Sequence, residues 1–280
     1  MKIMKTIVCS CLACGPMLLS GCGSQQGSQQ NKTAEITSQS DMTQTGMTQA
    51  VPEAYKKAAK QQGTVVRLDY DSLDYARNKA KIQKTAYVYL PCGYDEKDTE
   101  TRYDIVYLMH DSFPHALEIS KKGYNVFACI YCAGYDTGPE DCARAVAFIF
   151  EHADELEMDT SDYSLWGGSA GARIADWVGT YSTACYGQKQ YPRPAAVIMQ
   201  YTALSEVTGK EPATYNCVGT RDGIAPYTVM QERIDRIRAN GADAMIEVFE
   251  GLSHGFGIGT GTVAEGWVDH AVAFWERNMR

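Results

Sequence analysis

Large apolar residues are spread unevenly along this chain, and their spacing divides it. Behind Lys2 and Lys5, Thr6 to Leu19 is an apolar run too short to cross a bilayer comfortably. From Gly23 to about Ala50 the residues are mostly Ser, Gln, Thr, Gly and Met. So little apolar surface cannot offset the entropy of ordering, and the stretch is expected to be a flexible tether. Val51–Gln62 has the spacing of a short amphipathic helix. Beyond Thr64 the pattern becomes dense. Val65–Asp71 and Thr85–Leu90 alternate as strands do, and Ile105–Met109 and Asn125–Tyr131 are short apolar runs of the buried, parallel kind. Asp162–Trp166, Ala195–Gln200, Thr214–Val218 and Ala244–Phe249 read as further strands. Helical spacing falls between and after them, at Pro139–Leu156, Ala170–Thr183, Tyr227–Ala239 and Val263–Met279. An opening antiparallel pair followed by alternating strands and helices predicts an α/β fold, a mostly parallel, doubly wound sheet. The expected division is a leader at 1–21, a tether at 22–50, a short helix or linker at 51–63 and one folded domain at 64–280.

The end of the apolar run carries a motif. Leu19-Ser20-Gly21-Cys22 resembles the lipobox of bacterial lipoproteins. The resemblance implies a signal peptide cleaved before Cys22, lipid on the Cys22 thiol, and a mature chain anchored to a membrane outside the cytoplasm without spanning it. The formal net charge is −8, and removal of Lys2 and Lys5 with the leader takes it to −10. An acidic surface argues against nucleic acid as a partner and against adsorption to anionic lipid beyond the anchor. Of ten cysteines, Cys9, Cys11, Cys14 and Cys22 lie in the leader and lipobox. Cys129 and Cys132, three apart on one expected strand, point to opposite faces, and Cys92, Cys142, Cys185 and Cys217 lack zinc-like spacing. Export permits disulfides among these six, and buried thiols are equally open.

The chemistry concentrates at strand ends. Gly167-Gly168-Ser169-Ala170-Gly171 is a G-x-S-x-G pattern between an expected strand and an expected helix. A serine there sits on a tight turn with its hydroxyl pushed over the sheet, and small neighbours are needed because strand and helix backbones approach closely. Serine acyl transfer also needs a base and an acid that orients the base. Asp222 follows the strand Thr214–Val218 in the turn Gly219-Thr220-Arg221-Asp222, and His254 follows Ala244–Phe249 in Gly251-Leu252-Ser253-His254-Gly255. Three such residues, each just past a strand end, in the chain order serine, aspartate, histidine, are assigned as a catalytic triad. His152, His270, Glu250 and Asp243 are placed less well.

These segments resemble a family. Thr85-Ala86-Tyr87-Val88-Tyr89-Leu90-Pro91 with Gly93-Tyr94-Asp95 is similar to the opening strands of bacterial feruloyl- and acetyl-esterase-like α/β-hydrolases. Gly167 to Arg173 and Gly251 to Gly257 resemble the acetyl-esterase branch, and the likeness spans about Val65 to Arg280. It implies the α/β-hydrolase fold with little or no cap, a serine esterase acting on short acyl groups of carbohydrate or small-molecule esters, no metal or organic cofactor, and the Ala170 amide as one oxyanion donor. Related enzymes carry His-Gly-Gly-Gly or His-Gly-x-Gly at the second donor, where this chain has His110-Asp111-Ser112-Phe113. Asp111 restricts the backbone there; it either opposes the oxyanion or turns away to hold Ser112, whose hydroxyl is a second candidate donor. The short loop after Phe113 suits an acyl group on a bulky carrier. Tyr131, Tyr135 and Tyr201 end strands on the same side and are candidates to stack on sugars, or to pack. A peptidase of the same fold and a glycan-binding lipoprotein disabled by Asp111 are the alternatives.

Overall fold

The computed structural model describes residues 6–12, 63–98, 100–109, 128–129 and 138–280. The strands are β1 (Thr6–Leu12), β2 (Thr64–Leu73), β3 (Lys81–Leu90), β4 (Tyr103–Met109), β5 (Ala128–Cys129), β6 (Met158–Gly168), β7 (Ala196–Gln200), β8 (Ala213–Gly219) and β9 (Ala244–Phe249). The helices are α1 (Gly138–Glu151), α2 (Ala170–Tyr181), α3 (Tyr227–Ala239) and α4 (Trp267–Glu276). One sheet contains all the described strands. β4, β6, β7, β8 and β9 run parallel in that order, and β2 and β3 form an antiparallel pair beyond β4.

Register shows how the sheet is covered. Trp166, Ile198 and Tyr215 are aligned across β6, β7 and β8 and therefore share a face. Trp267 and Phe274 of α4 pack on that face against Tyr215, with Trp267 also 6.1 Å from Trp166. Val197 and Met199 point the other way. A side chain at Gly179 of α2 would strike Val197, and Arg233 of α3 reaches Met199. Helices thus cover both faces, which is why β4, β7 and β8 are buried along almost their whole length and β6 is buried from Tyr163 onward.

Several boundaries depart from the sequence reading. α1 stops at Glu151 rather than running to Leu156: its last turn has no basic residue to meet the helix carbonyls, and continuing it would bring Asp154 and Glu155 to the helix end. Glu157, at φ 53, then turns the chain into β6. α4 begins at Trp267 rather than Val263, since Gly266 at φ 101 ends the preceding loop. Thr6–Leu12, read as part of a leader, is a strand in the structure. Its Cys9 registers with both Val88 and Tyr107, the two positions that Ala128 of β5 also takes. Among the described residues no helix is long and apolar enough to cross a membrane. The tether, the Val51–Gln62 helix, Cys22 and Cys132 lie outside them.

Candidate active site

β6 and α2 meet at Ser169, which has φ 54 and ψ −118. A non-glycine residue held there stores strain of about 1–3 kcal/mol, and the surroundings must enforce it. They do so through glycine. A Cβ on Gly167 would lie 2.3 Å from the Gly171 carbonyl, and one on Gly171 would lie 2.1 Å from the carbonyl oxygen of Met109. The strand, the helix and the end of β4 can approach this closely only without side chains. The Ser169 N–H donates to the Gln200 carbonyl at 3.0 Å, so the backbone is pinned to β7 while the side chain stays free to react. Ala170 is exposed and is the first residue of α2, where backbone N–H groups lack intrahelical acceptors. Its amide therefore has no intrahelical acceptor.

The other two residues come from β8 and β9. His254 Nε2 lies 3.0 Å from Ser169 Oγ, and His254 Nδ1 lies 2.8 Å from Asp222 Oδ2. Asp222 Oδ1 accepts the Ile224 and Ala225 N–H groups at 2.9 and 2.8 Å, so the carboxylate is held in place on both oxygens. Its side chain is fully buried, and that of His254 is 21% exposed. An N–H at Nδ1 donating to Asp222 leaves Nε2 as the acceptor for the serine hydroxyl.

The spacing between Asp222 and His254 is set by backbone. Thr220 N–H donates to Phe249 O and Arg221 N–H to Leu252 O, both at 2.9 Å, and Gly251 N–H donates to Thr220 Oγ1 at 2.8 Å. A Cβ on Gly219 would lie 2.1 Å from the Leu252 carbonyl oxygen. Gly219 is thus a position of close backbone approach that the sequence reading treated only as part of a small-residue turn. The signal was present, since two strand ends cannot share one acid–base pair unless their backbones nearly touch.

The remaining candidates sort by position. Tyr201 is not a sugar platform: it is only 3% exposed, and its ring lies 4.8 Å from the His254 ring. His270 pairs with Glu247 at 2.8 Å, His152 Nδ1 lies 2.8 Å from the Phe148 carbonyl, and Asp243 pairs with Arg277 at 2.9 Å. Each is engaged away from Ser169. Asp111, Ser112, Tyr131 and Tyr135 lie outside the described residues, although Met109, against Gly171, brings the chain to the elbow just before His110. The segments leaving the strand ends at 201–212, 220–226 and 250–266 contain no helix or strand, so none of them builds a cap domain. No group of His, Cys, Asp or Glu among the described residues is placed to hold a metal ion.

A strand–elbow–helix serine joined to an aspartate and a histidine from the next strand ends invites comparison with known proteins. The BD-FAE family model matches residues 110–214, a span that includes Ser169 but neither Asp222 nor His254. No protein in the curated set matches the sequence. Among solved structures, the chain is similar to a truncated carbohydrate esterase from gut microbiota at 12% identity and TM-score 0.55, covering 79% of this chain and 99% of that one. It is similar to a bacterial heroin esterase at 17% identity and TM-score 0.57, covering 77% and 85%. It is also similar to carboxyl esterase 2 from the mycorrhizal fungus Tuber melanosporum at 17% identity and TM-score 0.59, covering 82% and 93%. The chain has the α/β-hydrolase fold. In this fold the carboxyl ends of the strands carry the site, which is where Ser169, Asp222 and His254 meet.

Proposed function

We propose that this chain is a serine carboxylic-ester hydrolase that removes acetyl or other short acyl groups from carbohydrate or small-molecule esters. The observation that carries the reading is the hydrogen-bonded series Ser169–His254–Asp222, at 3.0 and 2.8 Å. Ser169 Oγ attacks the acyl carbon as His254 Nε2 takes its proton. The Ala170 N–H stabilises the oxyanion, with a second donor expected from His110-Asp111-Ser112. Collapse breaks the ester bond, and the imidazolium gives its proton to the departing alcohol. His254 then deprotonates a water that attacks the acyl-enzyme, releasing the carboxylic acid and restoring Ser169. Asp222 keeps the imidazole in the productive tautomer and balances its transient charge.

A short acyl group on a carbohydrate is supported by the kind of esterases that share the fold, and by the absence of a cap among the described residues. The chain is further read as an exported lipoprotein, lipidated on Cys22 and held outside the cytoplasm. A fluorophosphonate probe is expected to label the protein at Ser169, with hydrolysis of short p-nitrophenyl esters and of an acetylated-glycan panel. No labelling and no ester turnover would sink the reading, and faster turnover of aminoacyl amides would make the protein a peptidase. For the anchor, metabolic incorporation of a fatty-acid analogue is expected in the full-length chain and absent in Cys22→Ala.

A further inference from the structure

Tyr201 combines four features that ordinary core packing does not require together. It follows the last residue of β7 with φ 33, the one aromatic residue among the described non-glycine positions at positive φ. A bulky side chain in that conformation stores strain, so the structure around it must hold it there. Its N–H donates to the Cys217 carbonyl of β8 at 2.8 Å, which fixes where the side chain leaves the backbone. Its ring is 4.8 Å from the His254 ring at an interplanar angle of 60°. On the other side of the residue preceding Ser169, a Cβ built on Gly168 would lie 3.0 Å from the Tyr201 hydroxyl oxygen. Tyr201 therefore stands between the nucleophile elbow and the imidazole, in contact with both.

The ring is braced from behind. Phe256 packs on it edge-on at 5.1 Å, and Phe249, the last residue of β9, packs on Phe256 at 5.6 Å. The preceding residue makes a parallel link: Gln200 accepts the Ser169 N–H through its carbonyl and donates from its side chain to the Gly257 carbonyl at 2.8 Å. The histidine loop, with Gly251, Gly255 and Gly257 all at positive φ, has little rigidity of its own. Asp222 meets Nδ1 and Ser169 meets Nε2, yet these two contacts leave the imidazole able to tilt about the line that joins them. A wall against the ring removes this freedom.

We infer that Tyr201 is a positioning residue, which fixes the plane of the His254 imidazole so that Nε2 faces Ser169 Oγ while Nδ1 stays on Asp222. Its 3% exposure leaves no ring face for substrate, so the role is exerted through His254 and not by contact with the ester. The inference rests on the serine-esterase reading. It also explains the first x of the G-x-S-x-G motif, since Gly168 leaves the space that the phenol occupies.

The test compares Tyr201→Phe, which keeps the ring, with Tyr201→Leu, which removes it while keeping apolar bulk. Tyr201→Phe is expected to stay within about threefold of wild type. Tyr201→Leu is expected to lose about 10–10²-fold in kcat with KM little changed, as misplacement of a catalytic group does. Its fluorophosphonate labelling rate should fall by a similar factor, and the acid limb of its pH–rate profile should move. Should Tyr201→Leu fail to fold by near-UV circular dichroism, Tyr201→Met carries the same comparison. A folded ring-free variant with wild-type kcat and labelling overturns the inference, as does a rise in KM alone, or an equal loss in Tyr201→Phe. Wild-type protein that does not label refutes the esterase reading instead, so the two failures are distinguishable.

Discussion

At the scale of single residues, the site is a problem of close approach more than of reactive groups. Ser169, Asp222 and His254 were legible in the sequence because each stands just past a strand end among small residues. What set them within hydrogen-bond reach was not legible, since it depends on Gly219 facing Leu252 and Gly171 facing Met109, contacts between segments far apart in the chain. Gly219→Ala is predicted to push the β8 turn from the histidine loop and cost about 10²-fold in kcat, read as the rate of ester turnover or probe labelling. Gly223→Ala, where an added Cβ meets nothing within 4 Å, is the control and should retain activity. Ser169→Ala should abolish labelling. Asp222→Asn should lower kcat by about 10³–10⁴ with the fold retained, because the amide favours the wrong imidazole tautomer. Tyr201 is the residue whose role changed most between sequence and structure. A tyrosine at a strand end looks the same in sequence whether it faces a ligand or backs a histidine.

At the scale of elements, α2, the helix that follows Ser169, is held by a buried ion pair. Arg233 of α3 donates to Asp176 of α2 at 2.6 Å, with side chains 0% and 4% exposed, and its Nε donates to the Glu206 carbonyl at 2.9 Å. Burial pushes the Asp176 carboxyl up from 3.8 to about 6, against the opposing pull of Arg233. The sign follows from linkage: between those values the folded chain keeps a proton that the unfolded chain has lost. Stability from this group is therefore present at low pH and declines as pH rises through the window, by roughly 3 kcal/mol at 1.36 kcal/mol per unit. Chemical denaturation at several pH values should show this slope in wild type and a flatter one in Asp176→Asn. Above about pH 6, where Asp176 is ionised, the mutant should also be less stable, since Arg233 loses its charged partner in a buried place. Neither residue was singled out from sequence. Asp176 reads there as one polar position in an amphipathic helix, and only α3 packing beside α2 gives it a partner.

At the scale of the whole molecule, the slot between β3 and β4 bears on the proposed leader. β1 and β5 both register on Val88 of β3 and Tyr107 of β4, so the two strands share one slot in this structure. Cleavage before Cys22, as proposed, leaves that slot to β5 alone. A chain beginning at Cys22 is therefore predicted to melt at the same temperature as the full chain or higher, with unchanged kcat, by differential scanning calorimetry and ester assay. A fall in melting temperature would make β1 part of the mature fold and count against its removal.

Hydrophobic spacing by itself determined the order and type of most elements from β2 onward, because period 2 and period 3.6 are local properties of a chain with a buried face. It also determined the nucleophile motif and the chain order of its partners. Helix ends at Glu151 and Gly266 were missed because they depend on end charge and on a left-handed glycine rather than on apolar spacing. The tertiary structure alone decided the distances within the triad, the burial of Asp176 against Arg233 and the turning of Tyr201 away from solvent. Those depend on which strand ends become neighbours across the sheet, a relation between residues tens of positions apart that no local pattern encodes.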